Sequence, residues 1–328
     1  MKMNCSRWIA LALLGAAGHA PIALAQGAAP NYPDKPVRIL VGYSPGGLPD
    51  TVARIVAHKL SEKWKQQVVV ENRPGANGNI AADFVAKAPP DGYTLLLTDN
   101  STTAIIPFLY AKLPFDPEKD LVPVAMVARA PLFLAVHSSV PANTLQELIA
   151  LVKSKPGQFS YGSSGIGSTH HLCMEFMKST LGLEMTHVPF KGTGQSVPAL
   201  VGGQVPMVFS AFPSLAAYAK DGRIKMLAAN SLKRAVFAPN IPTIAETIPG
   251  FDFAPTIGIF APRGTPRELV NKINADALEA VKQPDTAARM LAVGVDVDVM
   301  TPEEYAASLR ADAVRYSRVV KLSGAKAD

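Results

Sequence analysis

Two loops of this chain have the composition of binding sites for small anions. The first loop covers residues 42–50 and contains Gly46 and Gly47, and the second covers residues 162–171 and contains Gly165 and Gly167. Glycines let the backbone turn sharply and approach a ligand closely. A helical pattern follows each loop, so free N–H groups would lie at the positive end of a helix dipole. Two such loops facing each other across a cleft could each bind one end of a small carboxylate.

The first loop does not match the phosphate-binding motifs. It lacks the Lys-Ser/Thr pair that follows the second glycine of a P-loop, and it lacks the third glycine of a dinucleotide fingerprint. A carboxylate is therefore the expected anion. A Gly-Gly pair before a helix can also be no more than a tight connection, and this alternative stays open.

The candidate ligand contacts come from both loops, from the end of the third predicted strand and from a strand near residue 210. Asp50 could reach a hydroxyl, amide or amine of the ligand, or it could simply be stabilised by the first turn of its helix. Lys191 could neutralise a carboxylate or be exposed in its turn. The predicted ligand-binding residues are Tyr43, Ser44, Gly46, Gly47, Asp50, Asn100, Ser101, Ser164, Gly167, Ser168, Thr169, His171, Lys191, Phe209 and Ser210.

The sequence predicts no catalytic residue, no metal site and no cofactor. His170 and His171 lie near Ser163, Ser164 and Ser168, but Gly-x-Ser-x-Gly is absent and no acidic residue is placed to orient a histidine. Adjacent histidines point in different directions on a helix, which disfavours metal binding. A hydrolase or lyase that acts on a carboxylate remains the alternative from another class.

Short apolar strands alternate with amphipathic helices, which predicts an α/β fold with mostly parallel sheets flanked by helices. A domain crossing is predicted near Arg129-Ala130-Pro131, and a helical tail is expected to return to the first domain. We therefore predict two lobes around a cleft: residues 26–129 plus 251–328 form lobe 1, and residues 130–250 form lobe 2. Trp64 and Cys173 fall on core-facing stripes.

The N-terminus has the features of a secretory signal peptide over residues 1–25. Lys2 and Arg7 precede an apolar run, and Ala23-Leu24-Ala25 has the small-x-small form of a cleavage site after Ala25. A periplasmic protein is expected. Removal of the segment would lower the formal net charge from +6 to about +4. No basic run is interleaved with aromatic residues, so no nucleic-acid partner is expected.

Seven motifs in fixed order give the chain its resemblance to a known family. They are Tyr32-Pro33-Asp34-Lys35-Pro36, Ser44-Pro45-Gly46-Gly47 with Asp50, Val70-Glu71-Asn72-Arg73-Pro74-Gly75-Ala76, Pro90-Asp91-Gly92-Tyr93-Thr94-Leu95, Gly167-Ser168-Thr169 with His171, His187-Val188-Pro189-Phe190-Lys191-Gly192, and Gly202-Gly203-Gln204. The chain resembles the Bug-type extracytoplasmic solute receptors of tripartite tricarboxylate transporters over essentially its whole mature length. The resemblance implies a type II-like periplasmic binding protein that closes its two loops on a small organic carboxylate and delivers it to a membrane permease.

One segment departs from the pattern of that family. Where members often carry an acidic residue and an asparagine, this chain reads Phe209-Ser210-Ala211-Phe212. We expect Phe209 or Phe212 to make the distal part of the site more apolar, which would admit a longer or aromatic acid. The ligand classes left open by the sequence are aromatic and dicarboxylic acids. A sensor that reports to a membrane signalling kinase would use the same pair of lobes, so this alternative stays open. A monomer is expected, because a clamp needs both lobes free.

Overall fold

The computed structural model of the protein describes residues 32–75 and 78–326. The predicted signal peptide lies outside the described residues. Within them, the structure has ten strands, which are β1 (Val37–Val41), β2 (Val68–Asn72), β3 (Thr94–Asp99), β4 (Leu121–Arg129), β5 (Leu132–His137), β6 (Phe159–Ser163), β7 (Met185–Pro189), β8 (Met207–Ala211), β9 (Ile224–Ala229) and β10 (Thr256–Pro262).

The strands form two five-stranded sheets, with the orders β2-β1-β3-β10-β4 and β7-β6-β8-β5-β9. In each sheet four strands run in the same direction, as the alternating strand and helix pattern predicts. The exceptions are β10 and β5, which pair antiparallel with both of their neighbours. Each of these two strands follows a connection between the sheets. The chain passes from β4 in the first sheet to β5 in the second, and it returns from β9 in the second sheet to β10 in the first.

Helices flank both sheets and follow the apolar patterns of the sequence. The helices of the described chain are α1 (Leu48–Trp64), α2 (Asn79–Ala86), α3 (Ile106–Leu109), α4 (Pro117–Asp120), α5 (Leu145–Ser154), α6 (Thr169–Leu181), α7 (Thr193–Val201), α8 (Phe212–Lys220), α9 (Arg267–Lys282), α10 (Pro284–Ala292) and α11 (Pro302–Ser323). A π-helical segment, Ser101–Ile105, links β3 to α3. None of these described helices is both long enough and apolar enough to cross a membrane.

Helices α1 and α6 begin at the two glycine loops, and their buried faces fix where the loops lie. Helix α1 packs Val52, Val56 and Leu60 into the core of the first sheet, with Trp64 nearly buried at its end. Helix α6 buries Leu172 and Cys173 against the second sheet. Because each helix is fixed along its length by apolar packing, its first turn is held at the carboxyl end of the preceding strand.

Helix α11 joins the cores of both sheets. Its first half packs Tyr305 and Leu309 with residues of the first sheet, as expected for a tail that returns to lobe 1. Its second half packs Tyr316, Val319 and Val320 in the same cluster as the second sheet. The expectation that the tail covers lobe 1 was therefore incomplete, because a helix of 22 residues extends roughly 33 Å and reaches beyond one lobe.

Phe251 and Phe253 also pack in the cluster of the second sheet, although the predicted boundary assigned them to lobe 1. They lie on the connection between β9 and β10, at the point where the chain returns to the first sheet. The division into residues 26–129 plus 251–328 and residues 130–250 stays a prediction.

Candidate functional site

A cavity of about 380 Å³ lies between the two glycine loops. Its walls come from both sheets, including the start of β5 and of β10. The first residues of α1, α6 and α7 also line it, so three helix N-termini meet at one cavity. The lining residues are Tyr43, Leu48, Pro49, Asp99, Ser101, Ile105, Ile106, Leu109, Ala130, Leu132, Ser164, Ile166, Gly167, Ser168, Thr169, His170, Thr193, Ala211, Pro255 and Ile257.

Asp50 holds the first loop in shape from outside the cavity. Its carboxylate, only 2% exposed, accepts hydrogen bonds from the Gly46 N–H at 2.9 Å, from Asn72 Nδ2 at 2.8 Å and from Arg54 Nε at 3.0 Å. Burial opposes ionisation of this carboxyl, but the bonds from Arg54, Gly46 and Asn72 outweigh it and hold the pKa below its usual range. Asp50 therefore does not line the cavity, and its observed bonds stabilise the first loop and the start of α1.

The glycine amides of the first loop are already bonded within the loop. The Gly46 N–H donates to Asp50, and the Gly47 N–H donates to the Ser44 carbonyl at 3.2 Å. Ser44, Gly46 and Gly47 do not line the cavity, whereas Tyr43, Leu48 and Pro49 do. Gly47 is the N-cap of helix α1 and makes no side-chain cap bond. Pro49 has no N–H, so the N–H groups of Leu48 and Asp50 are the ones that the first turn could offer to an anion.

The second loop presents hydroxyl groups and the N-terminus of α6 to the cavity. Ser168 caps α6 by accepting a hydrogen bond from the His171 N–H, and its hydroxyl donates to the Gly165 carbonyl at 2.7 Å. The Ser164 hydroxyl lies 2.7 Å from His170 Nδ1. Ser164, Gly167, Ser168 and Thr169 all line the cavity, as expected from the sequence.

Gly167 brings the second loop against the side chain of Leu109 in α3. Its φ is +76°, and a Cβ at this position would lie 2.7 Å from Leu109 Cδ1. Only glycine fits both the backbone conformation and the space. Leu109 and Gly167 both line the cavity at this contact.

His171 supports the second loop from behind rather than lining the cavity. It is 4% exposed, and its Nδ1 accepts the Gly167 N–H at 3.1 Å. Its ring stacks on His187 with centroids 4.0 Å apart, and His187 Nε2 lies 2.7 Å from the Ser163 hydroxyl. Burial lowers the pKa of His187, and that of His170, to about 4, and lowers the pKa of His171. The three histidines are therefore neutral at pH 7.

Sequence reasoning missed Asp99, the carboxylate that lines the cavity at the end of β3. The Tyr43 hydroxyl and the Ser101 N–H both donate to Asp99 Oδ1 at 3.0 Å, and the Ser101 hydroxyl donates to the same oxygen. Burial raises the pKa of Asp99, while these donors oppose the rise. Its position at the carboxyl end of a strand was the signal that could have revealed it.

Several predicted residues lie elsewhere. Asn100 is 1% exposed, and its Nδ2 donates to Asp312 Oδ2 at 2.6 Å, so it joins β3 to α11. Lys191 is exposed outside the cavity, and Thr193 in the same turn lines the cavity instead. These placements depend on contacts between distant parts of the chain.

Phe209 does not make the site apolar. It is fully buried in the core beneath β8, and Ser210 is buried on the other face of the same strand, because successive side chains of a strand alternate. Phe212 packs on the rings of Phe133 and Phe237. Only Ala211 of this segment lines the cavity. The apolar wall comes instead mainly from six residues that sequence reasoning did not single out: Leu48, Ile105, Ile106, Leu109, Ile166 and Ile257.

The described residues contain no group of three or more His, Cys, Asp or Glu side chains arranged to bind a metal ion. The cavity lining over residues 32–75 and 78–326 has no lysine or arginine. Its polar groups are hydroxyls, helix N-termini, the neutral His170 and one carboxylate. Such an arrangement binds an anion through dipoles and hydrogen bonds rather than through opposite charge.

The chain has two five-stranded sheets with a cavity between the loops at their edges, which is the fold of the two-lobed periplasmic binding proteins. Residues 52–324 match the model of the family described as the tripartite tricarboxylate transporter family receptor. The chain belongs to this family of periplasmic solute-binding receptors, which are not enzymes.

The known relatives agree with this membership. The chain is 33% identical to the protein BugT from Bordetella pertussis over 91% of this chain and 92% of that protein. It resembles the structure of R. palustris Rpa4515 with adipate, with 33% identity, a TM-score of 0.76 and coverage of 89% and 98% of the two chains. MatC from Rhodopseudomonas palustris with bound malate has 31% identity, a TM-score of 0.71 and coverage of 88% and 100%. The predicted Bug-type membership is therefore confirmed.

Proposed function

We propose that this receptor captures a small organic carboxylate in the cavity between its two glycine loops and delivers it to a membrane permease of the tripartite tricarboxylate type. The observation that carries the proposal is the meeting of three helix N-termini, those of α1, α6 and α7, at one cavity. Each provides the positive end of a helix dipole and first-turn N–H groups suited to an anion.

The ligand contacts that the geometry favours are fewer than the sequence suggested. The second loop would bind the carboxylate through the first turn of α6 and the hydroxyls of Ser164 and Thr169, which line the cavity. The Ser168 hydroxyl donates to the Gly165 carbonyl and would hold the loop in place. The first loop would contribute the first turn of α1 and Tyr43. Asp50 and His171 would act by holding these two loops in place.

The strength of such a site is consistent with a transport receptor. A hydrogen bond to a charged group contributes about 1.5–3 kcal/mol, so six of them contribute at least about 9 kcal/mol, which exceeds the roughly 8 kcal/mol of a micromolar complex. The remainder would be consumed by ordering of the ligand and closure of the lobes. A cavity of about 380 Å³ is within the range of small-molecule sites, and adipate and malate are bound by two relatives.

The apolar wall bears on the kind of acid. Ile105, Ile106 and Leu109 line one region of the cavity, so we infer a ligand with an apolar portion beside its carboxylate. Segment 1–25 would direct the chain to the periplasm, and a monomer with lobes 26–129 plus 251–328 and 130–250 would close on the ligand.

The test is a thermal-shift screen of the chain from residue 26 against mono-, di- and tricarboxylates, with mass spectrometry of each acid afterwards. A saturable rise in melting temperature with the acid unchanged is expected, because a ligand that binds only the folded state stabilises it. Thr169→Val should weaken binding about tenfold, since the variant loses a hydroxyl that lines the cavity.

Thr186→Val is the matched control, because Thr186 is exposed on β7 and should leave binding unchanged. The proposal fails if no carboxylate raises the melting temperature. Conversion of a bound acid would instead support an enzyme.

A further inference from the structure

Asp99 is a carboxylate placed in a cavity that otherwise suits anions. It lines the cavity at the end of β3, where it is only partly exposed. The Tyr43 hydroxyl and the Ser101 N–H fix its Oδ1 at 3.0 Å each, so its position is set by two neighbours that also line the cavity. Burial raises the pKa of Asp99, these donors oppose the rise, and a cation bound beside the carboxylate would favour its charged form further.

No cation of the described chain balances this carboxylate. The lining residues of the described ranges include no lysine or arginine, and none of the described ion pairs contains Asp99. His170 also lines the cavity, but its Nδ1 is bonded to the Ser164 hydroxyl and burial lowers its pKa to about 4. A ligand that brings its own positive charge would supply the missing counter-ion.

The cavity therefore offers three distinct surfaces to one ligand. The N-termini of α1 and α6 suit a carboxylate, Asp99 suits a cation, and Ile105, Ile106 and Leu109 suit an apolar side chain. A second carboxylate in the ligand would have to share the same cavity with Asp99 without a cation between them.

We propose that Asp99 makes this receptor selective for zwitterionic amino acids with an apolar side chain, by accepting the ligand ammonium group. The proposal rests on the function proposed above, because it assumes that the ligand carboxylate binds at the helix N-termini. It separates this chain from relatives whose ligands, adipate and malate, carry two carboxylates. A hydroxy acid could also donate to Asp99, but it would leave the charge of Asp99 uncompensated.

The experiment compares acids that share one carbon skeleton. Isothermal titration of the chain from residue 26 is done with apolar amino acids, including leucine and phenylalanine, and with the 2-hydroxy and deamino acid of each. The preferred amino acid should bind at least tenfold more tightly than its deamino acid, with the hydroxy acid between them.

Asp99→Asn should abolish the preference. This variant keeps one oxygen to accept from Tyr43 and Ser101, so the cavity is retained while the charge is removed. The amino acid should lose at least tenfold in affinity, and the deamino acid should bind as tightly as before or more tightly. Retained binding of the deamino acid shows that the variant is folded; if Asp99→Asn does not fold, Asp99→Ser, which also removes the charge, is tested in its place.

The outcomes separate the two proposals. If carboxylates bind but no amino acid binds more tightly than its deamino or hydroxy counterpart, the role of Asp99 is refuted and the carboxylate receptor stands. If the preference exists but Asp99→Asn keeps it, the role of Asp99 is refuted as well. If no acid of any kind binds, the carboxylate receptor itself fails.

Discussion

The hydrogen-bonded carboxylate of Asp50 allows a sharp test of how the first loop is built. Asp50→Asn changes one oxygen into an amide nitrogen and removes the charge, with almost no change in shape. In the structure Oδ2 accepts from the Gly46 N–H and from Arg54 Nε, while Oδ1 accepts from Asn72 Nδ2 and lies 3.0 Å from a second Arg54 nitrogen. Whichever way the new side chain turns, its NH₂ group faces a donor.

The expected loss follows from these contacts. A hydrogen bond to a charged group contributes about 1.5–3 kcal/mol, and an unsatisfied buried donor costs about 1–3 kcal/mol. Arg54 is half exposed, so its share is reduced by solvent. We therefore expect the variant to lose about 2–3 kcal/mol in the free energy of unfolding. Affinity should fall about threefold to tenfold for every ligand alike, because the first loop is less ordered before binding.

The assay is urea unfolding followed by circular dichroism, with isothermal titration of several carboxylates. Glu62→Gln is the control on the same helix, since Glu62 is half exposed and its ion-pair partners among the described residues are His58 and Lys59. It should cost less than about 0.5 kcal/mol. A variant with unchanged stability but a new order of ligand preference would refute this reasoning, because Asp50 would then contact the ligand directly.

Three further predictions concern the second loop and the core. Lowering the pH from 7 to 5 should reduce the free energy of unfolding, and His187 should account for about 1–2 kcal/mol of the loss, because its folded pKa of about 4 lies below the usual 6.5 and the unfolded chain takes up the proton. In urea titrations His187→Phe should remove this share and leave that of His170, whose folded pKa is also about 4; a rise in stability at pH 5 would contradict the prediction. Gly167→Ala should weaken ligand binding and lower the melting temperature more than the control Gly46→Ala. Gly46 has a similar φ of +83°, but no atom lies within 4 Å of a Cβ added there. Equal losses in the two variants would show that the Leu109 side chain adjusts freely. Phe209→Ala should lower the free energy of unfolding in urea by about 3–5 kcal/mol, because Phe209 is a core residue. The ratio of affinities for aromatic and aliphatic acids should not change, and an altered ratio would show that Phe209 contacts the ligand.

The elements that carry the site could be predicted from sequence because their signals are local. The apolar run Val37–Val41, the glycines after it and the 3.6-residue stripe from Val52 to Trp64 identify β1, the first loop and α1. The strand before the second loop and the stripe that includes Cys173 do the same for α6. Periodicity does not encode strand direction, so the antiparallel strands β10 and β5 could not be identified in this way.

The individual contacts of the site depended on partners far away in the chain. Asn100 is bonded to Asp312, which lies 212 residues later, and Asp50 is bonded to Asn72. Phe209 was assigned to the cleft because its segment departs from the pattern of the family. Which face of a short strand points toward the cleft depends on its pairing with other strands, which the sequence does not show. Asp99 was overlooked beside Asn100 and Ser101, since only the folded chain shows which side chain at the end of β3 turns toward the cavity.

A crystal structure of the chain from residue 26 with its tightest carboxylate would show directly where the ligand binds. We expect the acid in the cavity between Tyr43 and Thr169, with carboxylate oxygens within about 3.2 Å of first-turn N–H groups of α1 or α6. A carboxylate bound outside this cavity, for example at the exposed Lys191, would refute binding between the two loops.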